Sequence, residues 1–470
     1  MTTTLKELQQ WMSVPLETEH LEFKEAKNQY DTTKLMRYCV ALANEGGGKF
    51  VLGVTDKPPR KVVGSAAFQN TADIASKLFE KLRFRVDVEV LAHPDGRVLI
   101  FHIPSRPKGT AYQHDGAYLM RSTEDLVPMS EDRLRQIFSE GQPDWLNLPA
   151  KTGCNADEVI HLLDTQTYFD LIGMPYPTSR DAVLDRLKGE GLISSEVGAW
   201  SISRMAALLL AKNLDQFPTE VSRKAPRVVV YEGTGKMETR LDQIGKKGYA
   251  VGFENLLTFV HGSAPANKVV EQAIRHEVKM FPLQALRELI ANALIHQDFN
   301  VSGTSVMIEM YEDRVEISNP GTPPISPERF IDEFRSRNEK VGDLMRRMGI
   351  CEEKGSGIDK VVSASEVFQL PAPDFRVGQL RTTAVLFAHK DFSEMSKSDR
   401  IRACYQHCCL MYVTNQRMTN KSLRDRFRLP EGKAANASQV IAACQDAGKI
   451  KLDDSDTTSK RYARYLPYWA

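Results

Sequence analysis

Glu288 and Asn292 stand four residues apart in Arg287-Glu288-Leu289-Ile290-Ala291-Asn292-Ala293-Leu294-Ile295-His296-Gln297-Asp298. That spacing is one helical turn, so both side chains lie on one face. A carboxylate can orient or deprotonate a water, and a carboxamide oxygen can ligate a hard cation such as Mg²⁺. A solvated helix face carries the same pattern. Gly355-Ser356-Gly357 is a turn leading into a helix, where backbone amides can cradle phosphate, although glycines also simply make turns. The loop Ser105–Tyr112 holds Arg106, Lys108 and Tyr112. With Arg121 it mixes cations with an aromatic ring, which suits phosphate contact and base stacking, or an ordinary exposed loop.

The elements that must position these groups follow from periodicity. Leu286, Leu289, Ile290, Ala293 and Leu294 recur at helical spacing and predict one core-facing stripe. Val306–Met310 and Arg314–Ser318 alternate and predict a hairpin around Glu312-Asp313. Asn319-Pro320-Gly321 ends the sheet, and a helical stretch is expected up to about Met348. A further helix is expected at Ile358–Val367. Toward the N-terminus, helices are expected at residues 1–12, 32–44 and 71–83, with strands at 49–54, 86–91, 98–103 and 116–121. Gly46-Gly47-Gly48 is a turn whose missing side chains would let a nucleic-acid backbone approach. Residues 155–215 read as mostly helical. Near the C-terminus three helices are expected, at 399–412, 419–427 and 436–447. A hairpin then follows, from 448–452 and 461–465.

The chain has 470 residues, which as a soft prior means about three domains. With 42% hydrophobic and 26% charged residues it has an ordinary globular composition, and a formal charge of +1 leaves any basic surface to be local. No apolar run approaches the roughly 20 residues of a membrane span, and no apolar secretory core follows the first methionine. Seven scattered cysteines without a CxxC pair point to reduced thiols in a cytoplasm, away from zinc or disulfide frameworks. Absence of a GxxxxGK[ST] loop argues against a P-loop helicase. Basic residues exceed acidic ones by about two to one over 396–470, as in a nucleic-acid footprint.

RELIANALIHQDF, DRVEISNPG, Arg337-Asn338 and GSGI occur in that order. The order resembles the GHKL-type (Bergerat) ATP-binding fold in its divergent, RecG-like branch, over roughly residues 225–390. The resemblance implies that Glu288 positions or activates the attacking water, that Asn292 holds Mg²⁺, and that Gly355 and Gly357 lie against the phosphates. His296, Asp298, Asn319, Gly321, Arg337, Asn338 and Ser356 complete the matched nucleotide-binding motifs. One departure is Asn319-Pro320-Gly321, where most members of the fold have the Asp of a DxGxG turn. An Asn oxygen can still accept from the adenine amine.

Residues 13–140 resemble the Schlafen-type AlbA-like domain. The matching stretches are Glu17 with Glu22-Phe23-Lys24, Ala41–Asp56, Ile103–Tyr112 and Asp115–Ser122. That resemblance implies a nucleic-acid-binding α+β unit. In nuclease members, positions matching Glu17, Glu22 and Asp56 hold a divalent cation, Mg²⁺ or Mn²⁺, with Lys24 close by. A structural Glu22–Lys24 ion pair is the alternative. The last segment looks like a winged helix.

These readings give an α+β multidomain protein. It has a Schlafen/AlbA-like head at 1–142, a helical connector at 143–224, a GHKL α/β sandwich at 225–393 and a winged helix at 394–470. The expected function is an ATP-binding, nucleic-acid-binding homo-oligomer without membrane contact. Its head would be a metal-dependent nuclease gated by a GHKL ATPase, in a setting such as antiviral genome defence. The alternative is a non-enzymatic, ATP-responsive transcription regulator.

Overall fold

A computed structural model of the chain describes residues 3–13, 20–122, 125–141, 144–196, 198–271, 274–351, 357–453 and 463–470. The chain forms two compact units, Met1–Pro143 and Asp144–Ala470. Glu17, Gly355 and Ser356 lie outside the described residues, as does the expected wing tip beyond Asp453.

The first unit runs α1 (Leu5–Met12), β1 (Leu21–Lys24), α2 (Thr32–Asn44), β2 (Gly48–Leu52), α3 (Thr71–Leu82), β3 (Asp87–His93) and β4 (Gly96–Ile103). Then come β5 (Gln113–His114), β6 (Ala117–Ser122), β7 (Asp125–Pro128) and α4 (Glu131–Ser139). The main sheet has the order β1-β2-β4-β3, with β1 parallel to β2 and Glu22 level with Phe50. Alternation along a strand sends successive side chains to opposite faces. Phe50 and Leu52 therefore meet Leu35, Cys39 and Leu42 of α2 on one side. Val51 joins Phe23, Val98, Ile100 and Leu8 of α1 on the other. Both faces are covered, which is why Phe50-Val51-Leu52 is apolar throughout.

The glycine turn before β2 serves this packing. A Cβ on Gly47 would sit 2.8 Å from the Ile103 carbonyl oxygen, and one on Gly48 would collide with the His20 carbonyl. The close approach expected from nucleic acid is made by the chain's own backbone.

The second unit begins with β8 (Pro149–Cys154), α5 (Ala156–Leu162), α6 (Thr165–Leu171), α7 (Arg180–Gly189), β9 (Ile193–Glu196), β10 (Ala199–Ser203), α8 (Arg204–Leu210) and α9 (Thr219–Ser222). Next are β11 (Arg227–Glu232), β12 (Glu238–Ile244), α10 (Tyr249–Ser263), β13 (Ala266–Glu271), β14 (Ile274–Lys279), α11 (Leu283–His296), β15 (Met307–Met310) and β16 (Arg314–Pro320). They are followed by α12 (Glu339–Arg347), α13 (Gly357–Val367), β17 (Asp374–Val377) and β18 (Arg381–Phe387). A six-stranded sheet has the order β12-β11-β15-β16-β18-β17. Only β11 and β15 pair in parallel. One hydrophobic core runs from Leu146 to Leu386, so 144–224 and the sheet domain share it.

The unit ends with α14 (Lys397–Val413), α15 (Asn420–Arg426), α16 (Ala434–Asp446), β19 (Ile450–Leu452) and β20 (Tyr465–Pro467), built around a separate core. Residues 321–338 depart from the expected helix. They are irregular apart from a short 3₁₀ turn at Pro327–Arg329. Pro323, Pro324 and Pro327 remove amide donors there, and helix begins only at Glu339. The whole is a mixed α/β multidomain chain.

Candidate functional site

α11 carries Glu288, Asn292 and His296 along one line, while Leu286, Ile290 and Leu294 are fully buried elsewhere on its surface. Four-residue steps keep the line straight for two turns. α13 packs beside α11 and starts at Gly357. A Cβ on Gly357 would lie 3.0 Å from Glu288 Oε2 and 3.5 Å from Asn292 Nδ2. Only hydrogen there leaves a cradle between the carboxylate, the carboxamide and the backbone of α13. Lys360, one turn further, brings Nζ to 3.9 Å from Glu288 Oε1.

The cradle opens on a cavity of about 120 Å³. Leu289, Ala293, Ile317, Ile358, Phe375 and Ala384 give it an apolar interior, while Asn292, His296, Asn319 and Thr382 add polar groups. The irregular segment supplies one wall through Pro323, Pro324, Ile325, Phe330, Glu333, Phe334 and Arg335. An apolar slot with a few convergent polar groups is the usual form of a small-molecule site. Asn319 sits level with Thr382 across β16 and β18. Its Nδ2 donates to the carbonyls of Pro320, at 3.1 Å, and His296, at 3.5 Å. With the nitrogen so committed, Oδ1 is the acceptor a ligand would meet. Burial, with the nearby Arg337 charge second, pushes the His296 imidazole down to about 4, so it is neutral at pH 7. A neighbouring cavity shares Asn292, His296, Phe334 and Arg335 and adds Ser336, Glu339 and Lys340.

The other expected nucleotide contacts build the frame of the slot. Asn338 donates from Nδ2 to the carbonyls of Ile295, at 2.6 Å, and Gln297, at 2.8 Å, satisfying the end of α11. Arg337 pairs with Asp298 at 3.1 Å and donates to the Thr322 carbonyl. Asp298 also accepts from Asn300 N at 3.0 Å. Gly321, at φ 95°, leaves no room for a Cβ beside Asp298. None of these four lines either cavity. Thr382 and Phe375 escaped the sequence reading. Their signal was the alternation of Thr382 and Ala384 on one strand face.

In the first unit, Glu22 is buried at 1% exposure. Its Oε1 lies 2.6 Å from Lys24 Nζ and its Oε2 pairs with Arg121. Lys24 Nζ also reaches Asp56 Oδ2 at 2.9 Å. Glu22 and Asp56 thus converge on one cation-sized point, and the Lys24 ammonium stands there. Asp56 also accepts from Glu25 N at 3.2 Å. Among the described residues no cluster of three His, Cys, Asp or Glu side chains could hold a metal ion.

The expected nucleic-acid contacts separate in the same way. Arg121 is 3% exposed, stacked near Tyr38 and tied to Glu22, so it is a buried counter-ion and not a surface contact. Arg106 makes a two-pronged pair with Glu140 at 2.6 and 2.8 Å and donates to the Asn44 carbonyl. Tyr112 packs on Phe84 with centroids 4.3 Å apart. Lys108 remains exposed. The second unit offers exposed Lys421, Arg428 and Lys433 around α15 and the start of α16. All seven cysteines are free thiols, and among the described residues no helix is long and apolar enough to cross a membrane.

Comparison with known proteins agrees with both resemblances. Residues 17–130 match the family described as Schlafen, AlbA_2. Residues 303–386 match the family described as "Putative ATP-dependent DNA helicase recG C-terminal". The second match begins after α11, so Glu288 and Asn292 fall outside it. Among solved structures, the DIP2311 protein of Corynebacterium diphtheriae is similar at 17% identity and TM-score 0.43, over 96% of this chain and 92% of that one. The N-terminal domain of a protein titled a putative RecG-related ATP-dependent DNA helicase, from Nitrosomonas europaea, is similar at 20% identity and TM-score 0.21, over 28% of this chain and 96% of that one. No curated protein matches.

Proposed function

We propose that this chain is an ATP-responsive nucleic-acid-binding protein. The observation that carries the proposal is the cradle formed by Glu288, Asn292 and Gly357 at the edge of an apolar slot. A purine fits between Ile317, Phe375 and Ala384, with Asn319 Oδ1 accepting from an exocyclic amine. Phosphates then fall toward the first turn of α13, where the helix dipole and open amides favour negative charge. Arg335 and Lys340 line the adjoining cavity and make no ion pair among the described residues, so both are available to a terminal phosphate. Asn292 would hold Mg²⁺, and Glu288 would orient a water. ATP, when bound, supplies a phosphoanhydride that is either cleaved or simply sensed.

Lys108 in the first unit and Lys421, Arg428 and Lys433 in the second support nucleic-acid contact, with α16 in the recognition position of a winged helix. The second unit would self-associate in a nucleotide-dependent way. Calorimetry tests the core of this reading. Mg-ATP should bind the full chain and bind Asn292→Ala at least tenfold more weakly. Absence of binding to the unaltered chain would refute it.

A second reading, a metal-dependent nuclease head, is favoured by the convergence of Glu22 and Asp56 on one point. It requires Mg²⁺ or Mn²⁺ to displace the Lys24 ammonium, with Glu17 adding a third carboxylate. Incubation with tRNA, single-stranded DNA and duplex DNA, with either metal, decides it. Products absent with all three substrates leave the head a binder.

A further inference from the structure

The wall of the nucleotide slot has a second side, and the C-terminal helices sit on it. Tyr405 of α14 donates its hydroxyl to the Glu328 carbonyl at 2.7 Å. Lys449 pairs with the Glu328 carboxylate. Trp469 donates from Nε1 to the Tyr405 hydroxyl at 3.1 Å, and the Arg329 guanidinium lies 4.6 Å over its ring. Ile331 is buried in the C-terminal core, beside α14 and α16 residues. On the inner side, Phe330, Glu333 and Phe334 line the slot. Arg329 joins the two sides, because it also holds Asp332 and Glu333 at 2.9 Å.

The same helices grip the far end of α13, whose first turn forms the cradle. Glu366 receives His407 of α14 at 3.1 Å and Arg426 of α15 at 3.2 Å. Arg426 also donates to the Leu370 carbonyl at 2.7 Å, and Val362 of α13 belongs to the C-terminal core. Both ligand-facing parts of the slot that lie outside the sheet and α11 are therefore seated on one small helical unit. The wall is irregular backbone with few internal hydrogen bonds, the kind of segment that moves at low cost.

We propose that this seat couples the two ends of the second unit: nucleotide in the slot and the position of the C-terminal helices are one equilibrium. The proposal rests on the nucleotide reading above. Coupling of binding free energies is reciprocal, so loosening the seat must change nucleotide affinity, and nucleotide must change the seat.

The test uses the full chain in two ways. Hydrogen exchange with and without Mg-ATP should show protection in peptides of α11 and α13. It should also show altered exchange in peptides covering 400–413 and 463–470, which contain no slot-lining residue. In parallel, Tyr405→Phe combined with Lys449→Ala removes contacts that touch no ligand, and should weaken Mg-ATP binding by about fivefold or more, the lower end of ordinary coupling. Tyr405→Phe alone keeps the ring and guards against misfolding. It should move affinity in the same direction. Protection of α11 and α13 with unchanged C-terminal peptides, or affinity unchanged within twofold, overturns the coupling and leaves the nucleotide reading intact. No protection at α11 and α13 overturns both.

Discussion

Glu22 illustrates what a single residue's surroundings decide. Lys24 lies two positions along the same strand and was visible as a partner. Arg121 is 99 residues away, and nothing in the sequence pairs them. With both oxygens engaged and almost no exposure, the carboxylate balances two cations inside the head. Glu22→Gln should therefore destabilise the first unit by roughly 3–5 kcal/mol, the cost of stranding a buried charge, read as an early transition in denaturant unfolding. Loss of nuclease activity with unchanged unfolding would reverse that assignment. Gly357 makes the complementary case. Gly357→Ala places a methyl 3.0 Å from Glu288 Oε2 and should lower Mg-ATP affinity at least tenfold, with little change in the unfolding midpoint. His296 links the slot to pH. Its folded pKa of about 4 lies below the unfolded value near 6.5, so between those pH values the unfolded state binds more protons. Stability is fully present above the unfolded pKa and is lost as pH falls toward 4. The contribution is roughly 3 kcal/mol, and His296→Gln should flatten that stretch of the stability–pH curve.

At the scale of elements, α11, α13, the β15–β16 hairpin and the main helices of the head were legible, because each carries an unbroken apolar period. Residues 321–338 were not. Their spacing of apolar residues, Ile325, Phe330, Ile331 and Phe334, mimics a helix, yet the chain uses them on two sides of a wall. Periodicity cannot tell one buried face from two. Asp298, Gly321, Arg337 and Asn338 have frame contacts that the motifs did not reveal. Motif position placed them at a ligand, while their hydrogen bonds hold the ends of α11 and β16 together. Asn338→Ala should thus cost about 1–3 kcal/mol in unfolding, since two helix-end carbonyls lose a buried donor, while direct ligand contacts stay in place.

For the whole molecule, net charge near zero hid where the cations act. Arg106 and Arg121 proved to be internal partners, while Lys108 and, around α15, Lys421, Arg428 and Lys433 are exposed. Nucleic-acid affinity should fall linearly in log–log form with salt, and Lys421→Ala with Arg428→Ala and Lys433→Ala should reduce that slope by about two to three. Arg106→Ala should leave the slope unchanged. One titration tests whether nucleotide and nucleic acid binding are joined. Fluorescence anisotropy of a labelled single-stranded oligonucleotide, at fixed salt, is measured with and without saturating Mg-ATP on the unaltered chain and on Gly357→Ala. Kd should shift fivefold or more with Mg-ATP in the unaltered chain and stay constant in Gly357→Ala. A Kd in the unaltered chain that is the same with and without Mg-ATP would contradict it.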